Sequence, residues 1–153
     1  MDANGKNQQL FFISLPAIAF FLNYFWESLH GLLFQGHPEF HAIMYVPMMI
    51  EMAVYDSFSI MGLYLFVALF ARKLLWPVTL RNCAIFTAAA LTAAWGTEYA
   101  ALHVRHEWAY LPGMPMLLGV GLLPLLQLAL TGIASIVVSR QVSCRDHNRN
   151  GES

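Results

Sequence analysis

Asn23, Glu27 and His30 follow one another at i, i+4 and i+7 inside a run of aliphatic and aromatic residues, so they share one helical face. Glu51 and Asp56 interrupt a second apolar run, Glu98 a third with His103 and His106 just beyond it, and Gln127 a fourth. An ionisable side chain inside such a run costs roughly 2.5–3.5 kcal/mol on insertion scales, which makes each a functional candidate. At ~1.5 Å rise per residue, Glu27, Glu51 and Glu98 fall ~10, ~9 and ~7 Å from the same end of the helix set, and Asp56 ~16 Å. Three carboxylates thus reach a similar depth from three helices, with Arg105 the nearby countercharge. Carboxylates crowded in a low dielectric cannot all ionise, and one that keeps its proton suits a general acid. The expected catalytic set is Glu27, Glu51, Glu98 and Asp56.

Around these acids, Trp26, Tyr55, Trp95 and Tyr99 would offer ring faces to a developing positive charge. Asn23, His30 and Gln127 would orient a bound molecule. Asn23 and Gln127 also read as simple interhelical glue, and His37 and His41 as solvated loop residues. A metal site is the alternative. Glu27-x-x-His30 has the i, i+3 spacing of bundle carboxylate-metal sites, and Glu98 and His103 would complete it around a divalent metal ion. The di-metal pattern needs two such pairs, and only one is present. Met44, Met48, Met49, Met52, Met114 and Met116 suggest an adaptable apolar lining. Pro124 is expected to kink the fourth helix at mid-span and free the carbonyl of Val120.

The elements that must hold these residues follow from composition. Of 153 residues, 58% are hydrophobic and 11% charged, against about 25% charged in a soluble domain. Four segments reach the ~20 apolar residues a spanning helix requires. They run from about Leu10 to Phe34, Tyr45 to Phe70, Cys83 to His103 and Met114 to Val138. The expectation is an all-α, integral-membrane four-helix bundle over residues 1–140, with a polar, disordered tail at 141–153. Helix 1 ends Trp26-Glu27-Ser28-Leu29-His30 and helix 3 ends Trp95-Gly96-Thr97-Glu98 with His103 after it, which suggests two pseudo-repeated hairpins. Ala17-Ile18-Ala19 has the small-residue form of a cleavage site, but it lies within the first apolar run, and a retained helix is expected.

Lys6, Arg72, Lys73, Arg81, Arg140, Arg145 and Arg149 fall on one side of this topology and Arg105 on the other. The excess places both termini in the cytoplasm and the acids toward the outer, periplasmic or lumenal half. Trp26, Tyr45, Trp108, Tyr110 and Trp76 read as interfacial anchors. Cys83 and Cys144 form no CxxC pair and read as ordinary thiols.

The segment Asn23-Tyr24-Phe25-Trp26-Glu27 resembles the N-x-x-W-E segment of fungal-type integral-membrane terpene cyclases. The resemblance covers five residues. It implies that Glu27 acts as the acid in cyclisation of a polyene or epoxide. That family takes a second acid from another helix, and no position here matches it by motif; Glu98 is assigned by geometry.

Three function classes remain. The first is a membrane-embedded enzyme using carboxylate acid/base chemistry on a lipophilic, isoprenoid- or sterol-like substrate, a cyclase or isomerase without cofactor. The second is a Glu/His metal-binding protein or metalloenzyme. The third is a small proton-coupled transporter or a membrane-complex subunit, which a chain this short would build as a homo-oligomer. Membrane lipids and a lipophilic small molecule are the expected partners. No basic stripe suggests nucleic acid.

Overall fold

A computed structural model of the chain describes residues 3–150, with side chains for 5–144. Four long helices dominate: α1 (Ala3–His30), α2 (Ala42–Ala71), α3 (Leu80–Tyr99) and α4 (Leu122–Asn150). The chain is thus mostly helical, as expected, with one small addition. Two short strands, β1 (Met116–Leu117) and β2 (Val120–Gly121), pair antiparallel just before α4.

Three of the helical segments are long and apolar enough to cross a membrane: Gly5–Leu33, Ala42–Ala71 and Leu122–Cys144. The expected third span, Cys83 to His103, corrects to a shorter, less apolar helix. α3 is rich in Ala and Thr and carries Arg81, Asn82 and Glu98 near its ends. α4 begins at Leu122, not near Met114, because the chain first turns through the β1–β2 hairpin. Pro124 therefore lies in the first turn of α4, where its missing N–H has no intrahelical partner to lose, and it makes no mid-span kink. The backbone also stays helical past Arg140 to Asn150, where a disordered tail was expected. Residues 151–153 of that tail, and the side chains of Arg145 and Arg149, lie outside the described part.

Each helix presents a buried stripe at i, i+3 or i, i+4 spacing. On α1 it is Phe11, Leu15, Ala19 and Asn23, continuing to Glu27. On α3 it is Asn82, Phe86, Ala90 and Ala94, continuing to Glu98. On α4 it is Gln127, Thr131, Ser135, Ser139 and Ser143. On α2 it is Met49, Ala53, Ser57, Ile60 and Tyr64. Residues four apart stack on one face, so small residues along these lines let backbones approach closely. The hydroxyls of Thr131, Ser135 and Ser143 lie 2.6–2.8 Å from carbonyls four residues earlier, which satisfies Ser135 and Ser143 within their own helix. Ser57 Oγ crosses from α2 to the carbonyl of Pro16 in α1 at 2.8 Å.

The end of the bundle near the α2–α3 connection closes on Trp76. Its ring is fully buried and stacks on Tyr64 with centroids 4.9 Å apart. Its indole donates to the carbonyl of Tyr64 at 3.2 Å, the Tyr64 hydroxyl donates to the carbonyl of Leu74, and Arg140 donates to the carbonyl of Trp76. Trp76 is therefore a core residue, not the surface anchor that its place in the sequence suggests.

At Gly132 an added Cβ would come within 2.5 Å of the Phe86 ring, whereas at Gly62 it would meet nothing within 4 Å. Gly132→Ala is expected to destabilise the protein by ~1–3 kcal/mol through overpacking. Gly62→Ala should be neutral or stabilising by up to ~1 kcal/mol, since Ala is the better helix former. Thermal unfolding of the two variants in detergent checks the contrast.

Candidate functional site

The polar residues of α1, α2 and α4 meet at one amide. Gln127 is 3% exposed, and its Nε2 lies 3.1 Å from Asn23 Oδ1, 2.8 Å from Glu27 Oε1 and 2.5 Å from Asp56 Oδ2. An amide nitrogen carries two protons, so three acceptors share two donors. Asn23, fully buried, is held on its other side by its own Nδ2, which donates to the carbonyl of Ala19 at 2.8 Å. Thr131 Oγ1 lies 3.0 Å from Asn23 Oδ1. The stripe phases on α1 and α4 make this meeting possible, because Asn23 and Gln127 are members of the two faces that pack together.

His30 stands one turn beyond Glu27. Its Nδ1 is 3.0 Å from the carbonyl of Trp26. A carbonyl only accepts, so Nδ1 donates to it, and Nε2 faces Glu27 Oε2 at 3.9 Å.

Glu98 forms the opposite wall from α3. Trp108 Nε1 donates to its Oε2 at 3.3 Å, and the Tyr110 hydroxyl donates to the same oxygen in a short hydrogen bond. Both donors come from the connection between α3 and α4. This connection starts with a π-helical turn over Ala100–Arg105 that ends at His106 in the left-handed region. The connection is pinned to the turn after α1: Gln35 N donates to Ala109 O and Leu111 N to Leu33 O, each at 2.8 Å. Phe34 packs edge-on against Tyr110 and Trp108, at 5.0 and 6.1 Å between ring centroids. Gly121 must be glycine for this packing, since a Cβ there would lie 2.9 Å from Tyr110 Cζ. Burial first, then the bond to Glu98, holds the Tyr110 phenol well above its ordinary range, so it donates at any physiological pH.

Between these walls lies a cavity of about 400 Å³. Glu27, Asp56, Glu98 and Gln127 line it, together with Met52, Tyr55, Thr97, Trp108 and Leu128, and Arg105 and Glu107 stand at its margin, 3.3 Å apart. A second cavity of about 230 Å³ shares Glu27, Met52, Glu98, Glu107 and Trp108 with it and extends to His30, Phe34, His37, Met48 and Met49.

The structure therefore brings together Glu27, Asp56, Glu98, Asn23, His30 and Gln127, with Tyr55 on the cavity wall. It does not bring Glu51 to them. Glu51 is exposed on the outer face of α2 and takes the Tyr55 hydroxyl at 3.2 Å. Depth along the helix does not decide which residues meet, because helical phase overrides it. Glu51 lies two residues from both Met49 and Ala53, which turns it away from their buried face, whereas Asp56 lies three residues beyond Ala53 and faces inward.

Trp95 and Tyr99 stack on each other at 5.0 Å and are exposed, with the Trp95 indole donating to the carbonyl of Leu118. Trp26 lines a separate apolar groove of about 510 Å³ with Phe25, Leu29, His30 and Leu123. The metal set Glu27, His30, Glu98 and His103 is not assembled: His103 Nε2 is directed at the carbonyl of Gly119, 2.9 Å away. Among the described residues, no three His, Cys, Asp or Glu side chains converge as metal ligands. The two Trp–Glu–His sets of the suggested repeat thus make different contacts. His37, read as solvated, donates from Nδ1 to the carbonyl of Gly31 at 2.9 Å and stacks on Phe34. Met48, Met49 and Met52 line the smaller cavity, while Met44 and Met116 are exposed. Trp108, Tyr110 and Thr131 were not expected at the site. The Trp108-x-Tyr110 spacing beside an acidic helix end was a signal, but it reads equally as an interfacial belt.

The chain matches no protein-family profile, no curated protein and no solved structure.

Gln127 holds two carboxylates and an amide oxygen by one group. Gln127→Leu removes every donor they share and leaves buried acceptors unsatisfied, for an expected loss of ~2–3 kcal/mol. Asp56→Asn in the same background supplies a new donor and should restore part of it. Denaturation midpoints of the single and double variants test this coupling.

Proposed function

We propose that this protein is a membrane-embedded enzyme that uses carboxylate acid/base chemistry on a lipophilic, isoprenoid- or sterol-like substrate. The observation that carries the reading is the meeting of Glu27, Asp56 and Glu98, from three helices, on one cavity large enough for a small lipophilic molecule. Structural glue does not require an open cavity behind it.

Several features support a membrane setting. The helices are apolar on their outward faces as well as their buried ones: Ile13, Phe21, Phe25, Ile43, Phe58 and Leu69 are all largely exposed. A surface helix in water carries polar residues there. α3, less apolar than its neighbours, would be carried across the bilayer by packing on α4. The distribution of Lys and Arg favours cytoplasmic termini and a site in the outer half of the bundle.

In this reading Glu27 and Asp56 form the acid. Two carboxylates on one amide nitrogen, in a cavity with mostly apolar walls, repel each other unless they hold a proton between them. That proton is delivered to an alkene or epoxide in the cavity. Trp108 and Tyr55 line the cavity in which the resulting cation would form, and aromatic rings attract positive charge. Asn23 and Glu27 of the segment resembling the terpene cyclases contribute to this acid, whereas Trp26 faces the neighbouring groove.

Protein reconstituted in vesicles in deuterated water, supplied with farnesol, should transfer solvent deuterium to carbon, read by mass spectrometry of the extracted lipid. Glu27→Gln should lower the rate by a factor of ~10²–10⁴, the usual share of general-acid catalysis. An unchanged rate in this variant would remove Glu27 from the acid role.

A further inference from the structure

Resting on the acid reading above, we infer that the site carries out alkene isomerisation: the Glu27–Asp56 pair puts a proton on one carbon and Glu98 takes another off. The inference comes from how unequally the carboxylates are served. Glu27 and Asp56 compete for the two protons of Gln127 Nε2, and Asn23 claims a share of the same donor. Glu98 receives two separate donors, Trp108 Nε1 and the Tyr110 hydroxyl, on a single oxygen. Burial opposes charge on any carboxylate, and two donors offset part of that opposition at Glu98, whereas two carboxylates facing one donor favour a shared proton. Pairs of acids whose surroundings differ in this way divide into acid and base.

The positions suit this division. Both groups line the same cavity of about 400 Å³, the pair from α1 and α2 and the base from α3. Glu98 Oε2 is occupied by its donors, and among the described hydrogen bonds Oε1 takes none, which leaves it for a proton from the substrate. The belt that fixes Glu98 is itself fixed. Phe34 packs against both Trp108 and Tyr110, and Gly121 N donates to the Tyr110 hydroxyl oxygen at 3.2 Å. Trp108 and Tyr110 are therefore positioning residues for the base.

The chemistry balances without a co-reactant. The π electrons of the alkene form a C–H bond with the proton of the pair and leave a carbocation on the adjacent carbon. An allylic C–H bond then breaks. Its electron pair becomes the new C=C bond and its proton goes to Glu98. Substrate and product have the same formula. The enzyme is reset when Glu98 releases its proton to water and the pair takes one up. A cyclase or hydratase would instead close a ring or add water to the same cation.

The reconstituted protein with farnesol in deuterated water separates these outcomes. The wild type should give a double-bond isomer that has gained one deuterium and lost one allylic hydrogen. Glu27→Gln should lose both the isomer and any exchange. Glu98→Gln should lose the isomer by at least ~10²-fold. It should still wash deuterium into recovered farnesol, because the pair can take back the proton it gave. A hydrated or ring-closed deuterated product, or an unchanged isomer yield in Glu98→Gln, would overturn the inference and leave the acid reading standing. No deuterium on carbon in the wild type would overturn the acid reading itself. Infrared spectra of the resting protein give a second arm independent of turnover. The C=O stretch of a protonated carboxyl should vanish in Glu27→Gln and Asp56→Asn and persist in Glu98→Gln; its loss in Glu98→Gln alone would also overturn the division.

Discussion

The side-chain amide of Gln127 carries two protons and sits among three acceptors that belong to two other helices, Asn23 and Glu27 of α1 and Asp56 of α2. Burial of polar groups is tolerable only when they are paired, and here one residue of α4 does most of the pairing. That requirement sets the relative rotation of three helices at once. If α2 turned by one residue, Asp56 would lose its donor and Glu51 would still not gain it. The small residues along α1, α2 and α4 matter for the same reason, because the backbones must approach closely enough for side chains as short as Asn and Asp to reach.

The second constraint lies outside the long helices. Glu98 sits at the end of α3, and its partners Trp108 and Tyr110 come from a connection with little regular structure of its own. That connection is held by two backbone hydrogen bonds to the turn after α1 and by Phe34. The residues around Glu98 thus depend on contacts between two loops distant in sequence, while the meeting of Glu27 and Asp56 depends on helix packing. Loops positioned by a rigid scaffold commonly carry such residues. The π-helical turn over Ala100–Arg105 adds a residue to the helix end and redirects the chain, a feature often found beside functional sites.

Glu27 and His30 were legible as an inward-facing pair because their i, i+3 spacing keeps them together on a helix whose other faces are apolar. Glu98 was legible in the same way, since it continues the Asn82, Phe86, Ala90, Ala94 line. Glu51 misled, because depth along a helix can be counted from the sequence more readily than the direction a residue faces. A closer signal was present: Ala53 and Ser57 mark the face of α2 that a neighbour approaches, and Glu51 is not on it. Pro124 misled for a different reason. The apolar run from Met114 looked continuous with α4, whereas Leu118 and Gly119 adopt positive φ and turn the chain before the helix begins.

Composition and run length by themselves determined the number of long helices, the approximate extents of the first three and the apolar character of their surfaces. These depend on the chain's solvent and on backbone hydrogen bonding, both of which act locally. The i, i+4 phase determined which residues of one helix share a face. Only the tertiary structure decided that Asp56, and not Glu51, joins Glu27, and that Trp108 and Tyr110 serve Glu98. Successive residues point about 100° apart around a helix axis. The partner of a side chain is therefore set by the rotation and packing of a second helix, or by a loop folded back from elsewhere, and no single stretch of sequence contains that information.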